Sequence, residues 1–155
     1  MPVTICKKRT FSNVLLLTHM KEGEYMQTTI TGNSMLPFIV GGRDVVTLVK
    51  ATPQSLQKGR VVVARVNEQA HYLHRIERVH GDKVTLRGDG NPYSRETCPR
   101  SSVLAEAVAL QRKGKTYTPN SLAWKAAQRL WPSHGFLRRI LLAIYRRLRH
   151  NNITQ

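Results

Sequence analysis

Short runs of β-branched and apolar residues, broken by Gly, Pro, Asn and Asp, follow one another through the middle of the chain. Runs of this length between turn-forming residues read as strands of an all-β domain. Residues 25–31, 45–49 and 61–66 are expected strands, and residues 103–110 a further strand or short helix. Thr52-Pro53-Gln54-Ser55-Leu56 predicts a turn or short helical loop, and Arg112-Lys113-Gly114-Lys115 a basic turn. Ahead of them, Val14-Leu15-Leu16-Leu17 predicts a short strand or helical turn, and Asn67-Glu68-Gln69-Ala70 a connection. The expected fold class is mainly β, a small β-barrel or sandwich-like domain over residues 25–117. A lead-in of residues 1–24 precedes it and a basic helical tail of residues 118–155 follows.

The most informative run is residues 72–89, which reads as a hairpin closed by Gly81-Asp82. With that pair as a two-residue turn, facing residues have numbers that sum to 163. His80 then faces Lys83, Val79 faces Val84, Glu77 faces Leu86 and His74 faces Asp89. Directly opposed residues share a sheet face with Cβ atoms about 4.5–5.5 Å apart. An aspartate so placed can accept the imidazole N–H, fix its tautomer and favour its protonated form. The same pair would also serve as an ordinary polar contact on an exposed sheet, so a nucleophile elsewhere has to decide its meaning.

The pattern changes after residue 118. Asn120 or Ser121 can cap a helix over residues 122–131 that Pro132 ends, and Ser133 a second helix. At 100° per residue Phe136, Leu137, Ile140, Leu141, Ile144 and Leu148 form one stripe, with Arg138, Arg139, Arg146 and Arg149 on the other side. Leu142 and Arg147 break that pattern. Two readings remain open: the stripe packs on the β domain, or the helix lies on anionic lipid with Trp124, Trp131 and Tyr145 as headgroup-level anchors.

Charge sharpens this division. The formal net charge is +16. Residues 1–110 hold 15 Lys/Arg against 9 Asp/Glu, whereas residues 111–155 hold 10 Lys/Arg and no acid. A tail of that kind seeks an anionic partner. Peripheral contact of residues 118–155 with an anionic membrane is expected, and nucleic acid is disfavoured because the arginines flank an apolar stripe. The two cysteines, Cys6 and Cys98, have no CxxC spacing and no histidine cluster, so neither a metal site nor a disulfide framework is expected. No cofactor is expected. No apolar run reaches the ~20 residues of a membrane span, and the apolar stretch after Lys7-Lys8-Arg9 is too short for a signal-peptide core. The expected location is the cytoplasm or its membrane face.

Gly32-Asn33-Ser34-Met35-Leu36-Pro37 follows the first long strand. Gly32 permits unusual backbone angles and Pro37 restricts Leu36, which sets Ser34 in a tight turn at a strand end. Gly32 to Pro37, then Tyr72-Leu73-His74-Arg75-Ile76, then Leu86-Arg87-Gly88-Asp89-Gly90-Asn91, resemble the three motif boxes of a serine peptidase superfamily. Its members include signal peptidase I and the LexA-like self-cleaving repressors. The resemblance spans roughly residues 28–110, and the His-Arg-Ile box is most similar to the archaeal and endoplasmic-reticulum signal peptidases, which use histidine as base. It implies a small β peptidase domain of signal-peptidase/LexA type. It also implies Ser34 as nucleophile, His74 as general base, Asp89 as the residue orienting His74, and the Ser34 N–H as oxyanion donor. Gly32, Asn33, Met35 and Arg75 are then the implied oxyanion and substrate-binding residues.

The implied activity is cleavage of a peptide or precursor protein through an acyl-enzyme. The sequence departs from the superfamily in three places. Gly42-Arg43-Asp44 and Gly59-Arg60 stand where Gly-Asp pairs are usual, and Pro92-Tyr93-Ser94 stands where a second acid often follows. The N-terminal anchor of a signal peptidase and the helix-turn-helix of a repressor are not found in the sequence. Two other readings stay open: a non-catalytic member of the same fold that binds peptides, and a basic membrane-surface or nucleic-acid-binding protein.

Overall fold

A computed structural model describes residues 5–6, 12–68 and 70–151 of the chain. The Lys7-Lys8-Arg9 run and Gln69 lie outside the described residues, as does the Cys6 side chain.

The central strands explain the architecture. Strand β4 (Val61–Arg65) has no apolar–polar alternation, because both of its faces are buried. Val61 and Val63 join one apolar cluster, and Val62 and Ala64 join another. A near-continuous apolar strand is what a sheet covered on both sides requires. Each such valine, removed from water, contributes ~1.5–3 kcal/mol.

Among the described residues the chain forms one sheet of nine strands. The others are β1 (Ile5–Cys6), β2 (Tyr25–Thr29), β3 (Val45–Lys50), β5 (His71–His80), β6 (Lys83–Arg87), β7 (Glu96–Pro99), β8 (Val103–Arg112) and β9 (Lys115–Tyr117). Their order is β1-β2-β3-β8-β4-β5-β6-β7, with β9 paired to β8. Every pairing is antiparallel except β1 with β2. Strand β8 is thus the hub, and where the register shifts at Thr47/Leu48 and Val63/Ala64 the extra residue lies on β8 itself, Val108 against β3 and Leu104 against β4. Bulges bend strands and increase their twist, which lets one sheet curl around two apolar clusters.

Within the N-terminal lead-in lies helix α1 (Ser12–His19), whose Leu17 joins the larger cluster with Met20 just beyond it. Residues 52–56 contain a short 3-10 turn at Pro53–Ser55, and 103–110 is strand. Beyond the sheet lie α2 (Leu122–Leu130) and α3 (Gly135–Asn151). Ser121 caps α2, its hydroxyl accepting the Trp124 N–H at 3.4 Å.

The hairpin forms with its turn at Gly81-Asp82, and His80–Lys83 and Val79–Val84 pair as expected. Beyond them the register departs from expectation. A bulge lies between Ile76 and Arg78, so Ile76 pairs with Leu86 and Arg75 with Arg87. Glu77 is the extra residue and faces no partner on β6. One inserted residue shifts everything beyond it by one position. Gly88, not Asp89, therefore continues the ladder opposite His74.

Candidate active site

Three backbone segments meet around the His74 ring, and glycine is what allows it. A Cβ on Gly88 would lie 2.3 Å from the Ser34 carbonyl oxygen and 3.1 Å from Nε2 of His74. A Cβ on Gly90 would lie 2.5 Å from the Asn33 carbonyl. Gly90 N–H donates to the Ser34 carbonyl at 2.8 Å, so the loop after β6 is bonded to the serine turn. Gly32 takes a left-handed φ of +91° and touches Gly41, whose Cβ would fall 2.1 Å from the Gly32 oxygen. The structure thus brings Gly32, Asn33, Ser34 and His74 into one neighbourhood.

The serine turn is braced from behind. Asp44 is fully buried, and its carboxylate accepts the Val40 N–H at 2.9 Å and guanidinium protons from Arg43 and Arg112. Burial by itself would raise the Asp44 carboxyl. The bonds from Arg43, Arg112 and Val40 outweigh it and hold the group well below the usual carboxylate range. Arg112 also donates to the Phe38 carbonyl at 2.6 Å, tying β8 to the segment after Ser34. The Arg inserted in Gly42-Arg43-Asp44 leaves this bracing intact and adds a cation to it.

His74 is 1% exposed. Its Nδ1 lies 2.8 Å from Glu96 Oε2, and its ring stacks on Tyr72 at 5.2 Å between centroids. An ionised carboxylate only accepts, so the Glu96 contact places the ring proton on Nδ1. Nε2, with its lone pair, is buried and makes no hydrogen bond. Buried nitrogens without a partner are rare and call for an explanation. This one sits beside the serine turn.

Asp89 does not orient His74, which corrects the expectation from register arithmetic. Its two carboxylate oxygens accept from Arg75 Nε at 2.9 Å and Nη2 at 2.6 Å. Arg75 is likewise not free to meet substrate. Its third nitrogen, Nη1, donates to the Gly59 carbonyl at 2.9 Å, its guanidinium lies over the Phe38 ring, and the side chain is buried. Met35, expected near substrate, belongs to the main apolar cluster and anchors the serine turn from below. His71, which opens the same strand, is half-buried, and burial and the nearby Arg65 lower its basicity.

Glu96 is the residue that sequence reasoning missed. It opens β7, a four-residue strand in which only Cys98 is buried, too short and polar to stand out. Its reach follows from the bulge. With Gly88 opposite His74, no β6 side chain stands between β5 and β7 at that level. Register places Glu96 opposite Leu86, so the acid approaches the imidazole diagonally, past the end of β6.

The C-terminal helices close the far side of the same loop. Trp131 Nε1 donates to the Asp89 carbonyl at 2.9 Å and Arg138 Nη1 to the Gly88 carbonyl at 3.0 Å. Arg87 donates to the Ser133, Pro92 and Asn91 carbonyls. Burial, then the neighbouring Arg87, lower Arg138 to about 10. A cavity of about 360 Å³ lies among Lys58, Arg75, Glu77, Arg87, Arg129 and Arg138. Neither Ser34 nor His74 lines it, and its Arg75, Arg87 and Arg138 are bonded within the protein.

The model of the Peptidase S24-like family matches residues 7–110. The chain belongs to that family. The match covers the Ser34, His74 and Gly88–Gly90 segments together with Glu96, and stops before the two C-terminal helices. Membership places the chain among the serine peptidases and LexA-like autoproteases, a hydrolase by kind, on a mainly β fold of the LexA type. No curated protein matches the chain. Among the described residues no helix is long and apolar enough to cross a membrane.

Proposed function

We propose that this chain is a serine endopeptidase that cleaves a leader or precursor peptide, with Ser34 as nucleophile, His74 as general base and Glu96 as the acid that orients the base. The observation that carries this reading is the buried His74 ring, anchored at Nδ1 by Glu96 and left without a partner at Nε2 beside the serine turn.

The chemistry follows from the tautomer. Nε2 takes the Ser34 hydroxyl proton as Oγ attacks the scissile carbonyl carbon. The resulting imidazolium, steadied by the Glu96 carboxylate, gives that proton to the leaving amine as the carbon–nitrogen bond breaks. A water then attacks the acyl carbon as its proton passes to Nε2, and Nε2 returns that proton to Ser34 Oγ as the acyl–oxygen bond breaks. The Ser34 N–H is the candidate donor to the oxyanion, an interaction whose loss costs ~10²–10³ in rate. A histidine base favours likeness to the archaeal and endoplasmic-reticulum type of signal peptidase over the lysine-using members. An extended substrate adding to a sheet edge would supply main-chain bonds and register.

An acylating serine probe, followed by mass mapping, tests the assignment. Label is expected on Ser34, with loss of both label and cleavage in Ser34→Ala. A label elsewhere, or one that survives Ser34→Ala, would overturn it. If Ser34→Ala keeps full peptide affinity and the parent chain shows no turnover, the non-catalytic binding reading stands instead.

A further inference from the structure

The face of α3 turned to the β domain is not its apolar stripe. The buried positions are Arg138 and Leu142, with Tyr145 half-buried beside them against Leu36 and Val40. Phe136, Leu137, Ile140, Leu141, Ile144 and Leu148 all face outward, with Phe136 68% exposed. Leu142, which broke the sequence pattern, is thus the anchor, and the regular stripe stays exposed among the described residues. The expected aromatic anchors also point inward. Trp124 is 2% exposed in the main cluster, Trp131 is bonded to the Asp89 carbonyl, and Tyr145 packs on the smallest cluster.

On a helical projection at 100° per residue, α3 has three arcs: the packed one, the apolar outward one, and a basic one holding Arg139 and Arg146. Arg147 falls within the apolar arc and Arg149 on the packed side, and both are exposed. Residues 118–151 carry seven Lys/Arg and no acid. We propose that this outward face is a docking surface for an anionic lipid bilayer, with the apolar arc entering the headgroup–acyl boundary and the arginines meeting lipid phosphates. Long arginine stems suit that position, since they lie along apolar surface while their charge stays in water. A second copy of the chain fits less well, because a two-fold contact sets this all-basic face against itself. A polyphosphate backbone would meet the basic arc and leave the apolar arc in water.

The stripe begins next to the chemistry. Gly135 packs on Pro92 and the Tyr93 ring, leaving no room for a side chain, and Tyr93 is itself largely exposed. A docked chain therefore holds the loop that carries Gly88 and Gly90 close to the bilayer surface.

Sedimentation with vesicles tests this on the full chain. Vesicles of phosphatidylglycerol with phosphatidylcholine are expected to retain the chain at least ten-fold better than phosphatidylcholine alone, less so as salt rises. Ile140→Glu combined with Ile144→Glu should lose at least ten-fold in retention with an unchanged melting temperature. Arg139→Gln with Arg146→Gln should weaken binding and flatten its salt dependence. If the double glutamate variant melts early, Leu148→Glu at the exposed end of the helix gives the same readout. Ser34→Ala should bind vesicles like the parent, so this surface stands or falls apart from the peptidase reading. The proposal is overturned if the parent chain ignores anionic vesicles or if the glutamate variant binds them undiminished. It is also overturned if the stripe residues govern DNA retention or self-association but not vesicle binding.

Discussion

Two acids adjoin the motif boxes, and the structure gives them opposite tasks. Asp89 neutralises buried Arg75 and so holds the loop, whereas Glu96 touches the imidazole. The expectation that Asp89 orients His74 rested on an unbroken hairpin register, and one bulged residue, Glu77, was enough to break it. Nothing in the string Arg75-Ile76-Glu77-Arg78 announces a bulge, because its cause is tertiary. Glu77 turns away to bind Arg87 and Arg95. The serine turn and the glycines were legible, since strained turns and close backbone approach demand particular residues. The difference between the acids can be measured. Glu96→Gln should lower kcat by on the order of 10²–10⁴ while the melting temperature stays near that of the parent, because tautomer control is lost and little packing is. Asp89→Asn should instead cost about 3–5 kcal/mol of stability, since it leaves the Arg75 guanidinium buried without its counter-charge. Urea unfolding and peptide turnover on both variants would expose the reverse pattern, which would return the orienting role to Asp89.

Strand and helix existence followed from composition and punctuation, but faces and short elements did not. Strands β2, β3 and β4 appear where β-branched runs predicted them, and β8 forms from a run that read equally as strand or short helix, while β7 was invisible for want of apolar residues. Helical periodicity found the α3 stripe but gave it no direction, since an apolar arc suits a core or a lipid surface equally well. The deciding residue was Leu142, whose single inward side chain outweighs six outward ones only once Leu36 and Val40 are seen opposite it. The turn between β2 and β3 shows how a charge can serve an element. The Asp44 carboxyl titrates in the folded chain below its unfolded value, for which ~3.9 is typical. Its stabilisation is therefore present above about pH 4 and is lost progressively as the pH falls below it. Asp44→Asn should be less stable than the parent by about 2 kcal/mol at neutral pH. The gap should narrow steadily in acid. A gap independent of pH between 7 and 3 would mean that the carboxylate charge is not what holds the turn.

At the scale of the molecule, the helices beyond the family match are built into the domain that the match defines. Trp124 of α2 sits in the main apolar cluster and meets Phe38 edge-on, with centroids 5.1 Å apart and planes at 82°. Phe38 in turn carries the Arg75 guanidinium over its ring, and Arg75 holds Asp89. A continuous line of contacts thus runs from the tail, through the core, to the loop beside His74. Composition had marked residues 118–155 as different by charge alone, and charge says nothing about which single aromatic plugs a core. Trp124→Ala should lower the unfolding free energy by about 3–5 kcal/mol, as large aromatic truncations in packed cores do. Leu122→Ala, two residues away on the same helix but 86% exposed, should change it by less than about 0.5 kcal/mol. Paired denaturant titrations of the two variants decide the matter. Equal, small effects would mean that the tail rides on the β domain without supporting it. The expected contrast means that the folded unit that holds Ser34 extends through α2.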